Sequence, residues 1–305
     1  MVVDVEDIYD EFNFGIRDAD AIWSFLHHAY TRWRTGPRYV VLAGEGSHDY
    51  KNYLGFGDSV IPTLLTPTPD GLFPSDNLFA DVIGNDFVPE MAIGRLPVIN
   101  ATELEAVTAK IIGYEASGGA WSQDVTMAAD IPDLGGEFPL ASEEVSALVP
   151  ASYTVDRLDV EELGGATARQ ALLSAFDEGR SFVNFFGHGA YFTMGNTGLL
   201  VGDDVTSMNN GDRLPVLTAF TCLVGQFGFP GQEAISERLM LGPGRGAAAV
   251  WAPSGMSLNN RASLLAKGFY AATFGAGELV IGEAILRAQS EYAKDSKDIY
   301  LLDIY

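Results

Sequence analysis

The chain has 305 residues, 47% of them hydrophobic, which is enough apolar side chain for a sizeable core and excludes general disorder. Its 41 acidic and 18 basic residues give a net charge of −23, so nucleic acid and anionic membranes are not expected as partners. A single cysteine excludes an internal disulfide and a thiolate-rich zinc site, and no apolar run approaches the ~18 residues of a membrane span.

The first predicted element is an amphipathic helix over residues 18–34. Its apolar side chains recur at helical spacing, and Asp18 or Asp20 is placed to cap the first turn. His27 and His28 lie on this helix, and we interpret them as ordinary surface or boundary histidines.

A buried strand is predicted next, over Tyr39–Ala43, and it runs into a glycine-rich loop that contains His48. Because ligands of α/β proteins bind where strands end, His48 is one candidate acid/base residue. No nucleophile of comparable quality lies near it in the sequence. Residues 55–75 are then rich in glycine and proline, and they predict a long irregular loop.

Side chains with hard oxygen ligands follow this loop, and calcium prefers such ligands. They are Ser75, Asp76, Asn77, Asp81, Asn85 and Asp86. Their spacing is not that of an EF-hand loop, so two interpretations stay open: a structural calcium ion, and turn-forming side chains. No cofactor is expected to be required for catalysis.

Thr102–Glu105 is a capping-box sequence and predicts the start of a helix that runs to about Glu115. Ser117–Gly119 ends this helix and is the best candidate boundary between two halves. We therefore predict a smaller N-terminal α/β subdomain over residues 1–119 and a second subdomain over residues 120–305.

The second half alternates short apolar strands with helices. The strands are predicted over residues 125–129, 153–155, 181–187, 214–222 and 247–251. Continuous apolar runs are typical of strands covered on both faces, and strand–helix alternation is typical of a parallel sheet. The predicted fold class is therefore α/β, with a mainly parallel β-sheet flanked by helices.

Two of these strands end at residues able to do chemistry. The strand that begins at Ser181 ends at His188, which lies between two glycines, and the strand that begins at Leu214 ends at Cys222, the single cysteine. If the strands are parallel neighbours, the thiol and the imidazole lie on one rim of the sheet. A cysteine nucleophile with an acid/base partner needs these two groups. An inert buried thiol is the alternative interpretation of Cys222.

At these residues the sequence resembles the gingipain family of cysteine peptidases. The resemblance is carried by ordered motifs over most of the chain, which are Ser75–Asn77, Gly84–Asp86, Ile93–Arg95, Gly187–Gly189, Cys222–Phe227, Ser236–Leu239 and Ala247–Met256. It implies two α/β subdomains, the second with the caspase-like fold.

The resemblance also implies roles for residues of the site. Cys222 is the expected nucleophile, His188 the acid/base, and Asp130 the acidic residue that contacts the histidine. The N–H groups of Gly189 and Cys222 are placed to form an oxyanion hole.

The Trp251–Leu258 loop resembles the wall of the family's specificity pocket, and its Trp251, Met256 and Leu258 suggest an apolar lining for substrate. Core packing is the alternative interpretation of Trp251. Arginine-specific gingipains bind the basic side chain with an acidic residue beyond the Asp130 position. Glu137 does not fall clearly on that position, so the sequence does not predict a preference for basic side chains.

The predicted function is a cysteine endopeptidase that cleaves protein or peptide substrates through a Cys222 thioester. A sortase-like transpeptidase of the same family and a non-catalytic caspase-like binding module are the alternatives. The expected location is extracellular or at the cell surface, as a domain of a longer precursor, although the chain shows no signal peptide.

Overall fold

The structure is a computed structural model that describes residues 1–84, 86–296 and 298–305. Its strands are β1 Tyr39–Ala43, β2 Leu64–Thr68, β3 Gly71–Ser75, β4 Ala92–Leu96, β5 Asp124–Ala129, β6 Thr154–Asp159, β7 Phe182–Phe186, β8 Gly189–Ala190, β9 Thr193–Met194, β10 Leu200–Val201, β11 Val216–Phe220 and β12 Ala249–Trp251. Its α-helices are α1 Val5–Asn13, α2 Ala19–Arg32, α3 Asn77–Ala80, α4 Ala101–Ala116, α5 Phe138–Ser146, α6 Val160–Leu163, α7 Gly165–Glu178, α8 Ile235–Leu241, α9 Asn259–Tyr270, α10 Ile281–Asp295 and α11 Leu301–Ile304.

The central element is a five-stranded sheet with the order β12-β11-β7-β5-β6, in which every pair is parallel. Its middle strands are apolar on both sides because both faces are covered. In β7, Val183 and Phe185 face one core cluster, whereas Phe186 faces the other. The predicted parallel sheet is therefore confirmed.

Helices cover the two faces of this sheet in separate layers. Helices α5, α9, α10 and α11 contribute to the core cluster on one face, and α7 and α8 contribute to the cluster on the other. A three-layer arrangement results, with the carboxyl ends of all five strands at one rim.

The first third of the chain forms a smaller α/β unit around the parallel pair β1 and β4. Strand β1 is only half-buried, since Tyr39 is 49% and Val41 64% exposed, which differs from the buried strand predicted there. The predicted irregular loop over residues 55–75 is wrong in its second part. Strands β2 and β3 form an antiparallel hairpin there, because cross-strand pairing satisfies the backbone despite Pro67 and Pro74.

The predicted helices are confirmed, but one of their caps is different. Asp18 caps α2 by accepting a hydrogen bond from the Asp20 N–H, as predicted. Helix α4 instead begins two residues early, because Asn100 accepts from the Glu103 N–H and Glu103 accepts from the Asn100 side chain. The reciprocal cap thus involves Asn100 and Glu103 rather than Thr102 and Glu105.

Lys110 links the helix before the predicted subdomain boundary to the helix α8 after it. Its ammonium is buried and donates to the carbonyl oxygens at the end of α8, at 2.8 Å to Leu239, 2.7 Å to Met240, 3.3 Å to Gly242 and 2.9 Å to Arg245. Leu239 and Met240 belong to the last turn of α8, so the lysine caps the helix. The boundary at residue 119 itself stays a prediction.

Replacing Lys110 by methionine is expected to lower the free energy of unfolding by about 2–3 kcal/mol, because buried carbonyls lose a charged donor. Urea unfolding followed by circular dichroism measures this change. Lys294→Met is the matched control, since Lys294 is a solvent-exposed lysine on α10 paired with Glu291 at 2.6 Å, and it should leave the midpoint nearly unchanged. Equal midpoints for the two variants would contradict a capping role.

The residues considered for calcium have other partners in the structure. Both carboxylate oxygens of Asp76 accept from Arg95, Asp81 accepts from the Phe87 N–H, and Asp86 accepts from the Val88 N–H. Asn85 lies outside the described residues. Within the residues described, no group of three or more His, Cys, Asp or Glu side chains is placed to hold a metal ion. Structural calcium stays a prediction.

In the same residues, no helix combines the length and hydrophobicity needed to cross a membrane.

Candidate active site

The two chemistry-bearing residues lie at the same rim of the central sheet. Strands β7 and β11 are parallel neighbours with Phe186 opposite Phe220, and His188 and Cys222 each follow two residues after that pair. The predicted adjacency of the two strands is therefore confirmed. Because the two strands are parallel neighbours, the residues that follow them, His188 and Cys222, lie at the same rim.

The chain turns sharply after Cys222. Leu223 has a φ of +57°, a conformation that a branched side chain rarely adopts, and its N–H donates to the Gly255 carbonyl at 3.0 Å. Gly225 follows, and a Cβ there would lie 2.4 Å from the Ala252 carbonyl oxygen. Glycine is required at this position because the turn packs against the chain leaving β12. Strained backbone of this kind is common at functional sites.

The Cys222 thiol is held by the loop that follows β12. The Ser257 N–H donates to Sγ at 3.3 Å, and the Ser257 carbonyl oxygen lies 3.5 Å from Sγ. Burial raises the pKa of this thiol, the Ser257 N–H lowers it, and the Asp70 charge raises it. Desolvation thus favours the neutral thiol, and forming the thiolate requires a neighbouring base.

His188, at the same rim, has contacts of its own. Its Nε2 lies 2.9 Å from Oδ2 and 3.2 Å from Oδ1 of Asp133, and its ring meets the Phe138 ring edge-to-face at 5.2 Å between centroids. Gly135 lies directly over the ring, since a Cβ there would be 2.7 Å from Cε1 of the imidazole. The ring therefore has a defined orientation.

Asp130, the residue predicted to contact the imidazole, lies elsewhere. Its carboxylate is fully buried and accepts main-chain N–H groups, from Ile131 at 3.0 Å, Asn196 at 2.9 Å and His188 at 3.4 Å. Asp130 thus contacts the main chain of His188, whereas Asp133 contacts its imidazole ring. The Asp130 carboxylate, at the end of β5, is held against the main chain and does not reach the imidazole as well.

Gly189 lies against Cys222, as its predicted role in an oxyanion hole requires. A Cβ at this position would be 2.6 Å from the Cys222 carbonyl oxygen and 2.3 Å from Oγ1 of Thr221, so no side chain fits. The Cys222 N–H donates to no acceptor in the described part of the chain. The oxyanion-hole assignment itself stays a prediction.

A continuous series of contacts joins the imidazole to the thiol. The loop over Asp133–Gly136 covers His188, and a Cβ on Gly136 would lie 2.6 Å from the side chain of Asn259. Asn259 is two residues from Ser257, which contacts the thiol. His188 and Cys222 therefore lie at one rim of the sheet and are linked through these two loops.

The predicted substrate-binding residues divide into two groups. Met256 and Leu258 flank Ser257 and are 38% and 58% exposed, which places them beside the thiol. Trp251 is instead 5% exposed and packs in the core, where its indole N–H donates to the Tyr305 carbonyl at 2.6 Å. The structure thus corrects the assignment of Trp251, because this residue ends the edge strand β12 with its side chain packed against Phe269 of α9.

The remaining candidate residues have contacts other than with His188 and Cys222. His48 packs against the segment after Cys222, where its main-chain N–H donates to the Gly228 carbonyl at 2.8 Å, and burial lowers the pKa of its imidazole. His27 stacks on Trp23 and contacts the Val82 carbonyl, as expected of a structural histidine. Glu137 is exposed at the start of α5.

Sequence reasoning missed Asp133, Ser257 and Asn259. Asp133 precedes Leu134-Gly-Gly136, a pattern that predicts a turn but not its position over the histidine. Ser257 contacts the thiol through its main chain, which no residue type reveals. These contacts connect segments far apart in the chain.

Comparison with known proteins agrees with this geometry. The family model of Peptidase family C25 matches residues 1–303. The chain belongs to peptidase family C25. Gingipain R2 of Porphyromonas gingivalis is 26% identical over 229 residues, which are 73% of this chain and 28% of that protein. Gingipain R1 of Porphyromonas gingivalis is also 26% identical over 229 residues, but these are 21% of its length. The chain thus spans less than a third of the curated relatives it matches.

Solved structures show the same fold. The crystal structure of the Arg-specific cysteine proteinase gingipain R superimposes with a TM-score of 0.79 and 19% identity, covering 99% of this chain and 73% of that one. The complex of the Porphyromonas gingivalis RgpB pro- and mature domains gives a TM-score of 0.76, also at 19% identity, over 97% of this chain and 69% of that one. The C25 protein therefore has the caspase-like fold predicted from its sequence.

Proposed function

We propose that this C25 protein is a cysteine endopeptidase in which Cys222 is the nucleophile and His188 the acid/base. The observation that carries the proposal is that the thiol and the imidazole follow neighbouring parallel strands at one rim, where a Cβ on Gly189, next to His188, would lie 2.6 Å from the Cys222 carbonyl oxygen. Membership of a peptidase family supports the same chemistry. Proteins or peptides are the substrates.

The first half of the reaction forms a thioester. His188 takes the proton of the Cys222 thiol, and the sulfur attacks the carbonyl carbon of the scissile bond, which forms the C–S bond and an oxyanion. The N–H groups of Gly189 and Cys222 are proposed to stabilise this oxyanion, and one such donor typically contributes about 3 kcal/mol. His188 then gives its proton to the leaving amine as the C–N bond breaks.

The second half releases the product. His188 takes a proton from water, and the resulting hydroxide attacks the thioester carbonyl. The C–S bond breaks, the peptide leaves with a new carboxylate, and the thiol regains its proton from His188. An amine in place of water would give transpeptidation through the same thioester.

A mixed peptide library read by mass spectrometry tests the proposal. Peptides are expected to be cleaved internally, and cleavage should stop when iodoacetamide has alkylated Cys222, the single cysteine of the chain. Cleavage that continues unchanged after complete alkylation would contradict the proposal. Adding a primary amine tests the acceptor, since amide products in place of carboxylates would indicate a transpeptidase. Peptide binding without cleavage would indicate a binding module.

A further inference from the structure

The loop that holds the Cys222 thiol is itself held by a tyrosine. We infer that Tyr305 is a positioning residue, whose hydroxyl fixes the Ser257 main chain against the sulfur so that the Ser257 N–H stabilises the thiolate. The inference deepens the proposed function and rests on it. It gives Tyr305 an effect on the reaction that is exerted through Ser257.

The hydrogen bonds of the Tyr305 hydroxyl join the two segments beside the thiol. A carbonyl oxygen only accepts, so the hydroxyl donates its proton to the Thr221 carbonyl, at 3.4 Å. It therefore accepts the hydrogen bond of the Ser257 hydroxyl, at 3.1 Å. Burial raises the pKa of Tyr305, which keeps the phenol protonated. Because Thr221 directly precedes Cys222, this one oxygen links the chain leaving β11 to the chain leaving β12.

The ring of Tyr305 is fixed by the strand ends next to the thiol. It stacks on Phe220, the last residue of β11, at 5.8 Å between centroids and 25° between planes. It meets Trp251, the last residue of β12, edge-to-face at 5.8 Å. The Trp251 indole N–H also donates to the Tyr305 carbonyl. Ring and main chain thus hold the hydroxyl in place, so a phenylalanine can take the same position without the hydroxyl.

The segment that carries Tyr305 is anchored on both sides. Asp303, on α11, is buried and accepts from the Thr66 hydroxyl of β2 at 2.6 Å. The Ser254 N–H, in the loop after β12, donates to the Ile304 carbonyl at 2.8 Å. Helix α11 is therefore tied both to the β2–β3 hairpin and to the loop that holds the thiol, and these contacts place Tyr305 beside Ser257.

The Ser257 main chain meets the sulfur with a donor and an acceptor. Its N–H lies 3.3 Å and its carbonyl oxygen 3.5 Å from Sγ of Cys222. The neutral thiol can use both groups, whereas the thiolate has no proton for the carbonyl and depends on the N–H. Burial raises the pKa of Cys222, and this N–H lowers it. A loop that moved away from the sulfur would therefore leave less thiolate.

Among the described residues, the titratable groups that face the thiol come from three elements. His188 follows β7 at the same rim, Asp70 lies in the turn between β2 and β3, and Tyr305 follows α11. The Asp70 charge adds to the burial that raises the pKa of the thiol. The loop after β12 faces the sulfur with the uncharged Ser257. Since the phenol is neutral, a change at Tyr305 acts on the thiol through the position of the Ser257 N–H and not through a charge.

Tyr305→Phe tests the inference, because phenylalanine keeps the ring and removes the hydroxyl. The pH profile of Cys222 alkylation by iodoacetamide should have its midpoint about half a pH unit higher, which leaves about threefold less thiolate at neutral pH. At pH 7.5, kcat for a cleaved peptide should fall about threefold while KM stays within about twofold.

Two further variants separate a positioning role from a loss of stability. Ser257→Ala keeps the N–H at the sulfur and removes the hydroxyl that Tyr305 holds. It should move the midpoint as far as Tyr305→Phe does, and the double variant should move it no further. Tyr292→Phe is the matched control, since Tyr292 is a buried tyrosine of α10 whose hydroxyl donates to the Asp298 carbonyl at 3.2 Å. Its midpoint should match the wild type.

An unmoved midpoint in Tyr305→Phe, an equal shift in Tyr292→Phe, or shifts that add in the double variant would overturn the inference. The alkylation profile needs no cleavage. If the wild type cleaved no peptide and the midpoint still moved, the proposed function would fail and the coupling of Tyr305 to the thiol would stand.

Discussion

Cys222→Ala is expected to lower kcat/KM for a cleaved peptide by at least ~10⁴-fold, the scale of loss seen when an enzyme loses its nucleophile. The reason is chemical, since alanine has no atom that can form the thioester. Side-chain hydroxyls nearby offer no substitute. Ser257 touches the sulfur through its main chain and uses its hydroxyl on Tyr305, at 3.1 Å between the two oxygens.

The measurement compares initial rates on a fluorogenic peptide taken from the cleaved library sequences. Circular dichroism should show the same fold for both proteins, and the affinity for the uncleaved peptide should change little. If Cys222→Ala cleaved the peptide at the wild-type rate, the nucleophile would lie elsewhere in the chain. A loss of cleavage together with peptide binding would agree with the enzyme and not with a binding module.

Arg95→Met is expected to lower the free energy of unfolding by about 3–5 kcal/mol, the cost of removing one partner of a buried ion pair. The Arg95 side chain is 6% exposed and donates to both oxygens of Asp76, at 2.9 and 2.7 Å. It also donates to the Gly44 carbonyl at 2.6 Å and lies over the Phe227 ring at 4.8 Å. Methionine would leave a carboxylate and a carbonyl without their donor.

The surroundings of Arg95 increase this cost. Glu45 and Glu237 share a buried hydrogen bond nearby, and burial together with Glu237 raises the pKa of Glu45, so Glu45 keeps its proton at neutral pH. Arg95 is the cation that faces the remaining charges of this cluster. Because Phe227 follows Cys222 by five residues, the cluster also supports the segment after the nucleophile.

Urea unfolding followed by tryptophan fluorescence measures the effect, with Arg38→Met as the matched control. Arg38 also pairs with a glutamate, Glu283, at 2.5 Å, but its side chain is 72% exposed. Water solvates both charges when that pair is broken, so the control should unfold at nearly the wild-type midpoint. A small effect of Arg95→Met would show that the pair adds little to the contact between β4 and the catalytic loops.

Features that depend on neighbouring residues could be predicted from the sequence. The helix capped by Asp18 was predicted because a helix repeats every 3.6 residues and its cap lies next to it in the chain. The parallel arrangement of β7 and β11 was predicted because both are continuous apolar runs, which are typical of strands covered on both faces in a parallel sheet. The pairing of His188 with Cys222 followed in turn, since parallel strands share one rim.

Local patterns failed where main-chain groups from distant segments meet. The β2–β3 hairpin contains prolines, which predict a loop, yet its cross-strand pairing satisfies the hydrogen-bonding groups of the backbone. Lys110 looks like a surface residue of α4, yet it is buried because its amino group lies within hydrogen-bond distance of four carbonyl oxygens in and after the last turn of α8. Neither partner is visible within a short window of sequence.

The sequence by itself determined the family, the parallel sheet and the position of His188 and Cys222 after two of its strands, because these depend on residue type and on order along the chain. Only the tertiary structure decided which carboxylate meets the imidazole and which side chains border the thiol. Asp130 and Asp133 are three residues apart and chemically equal, and the turn at Gly135 places only the second one on the ring. Trp251 lies in the core and Met256 beside the thiol for the same reason: side-chain direction at a strand end depends on the layers packed around it.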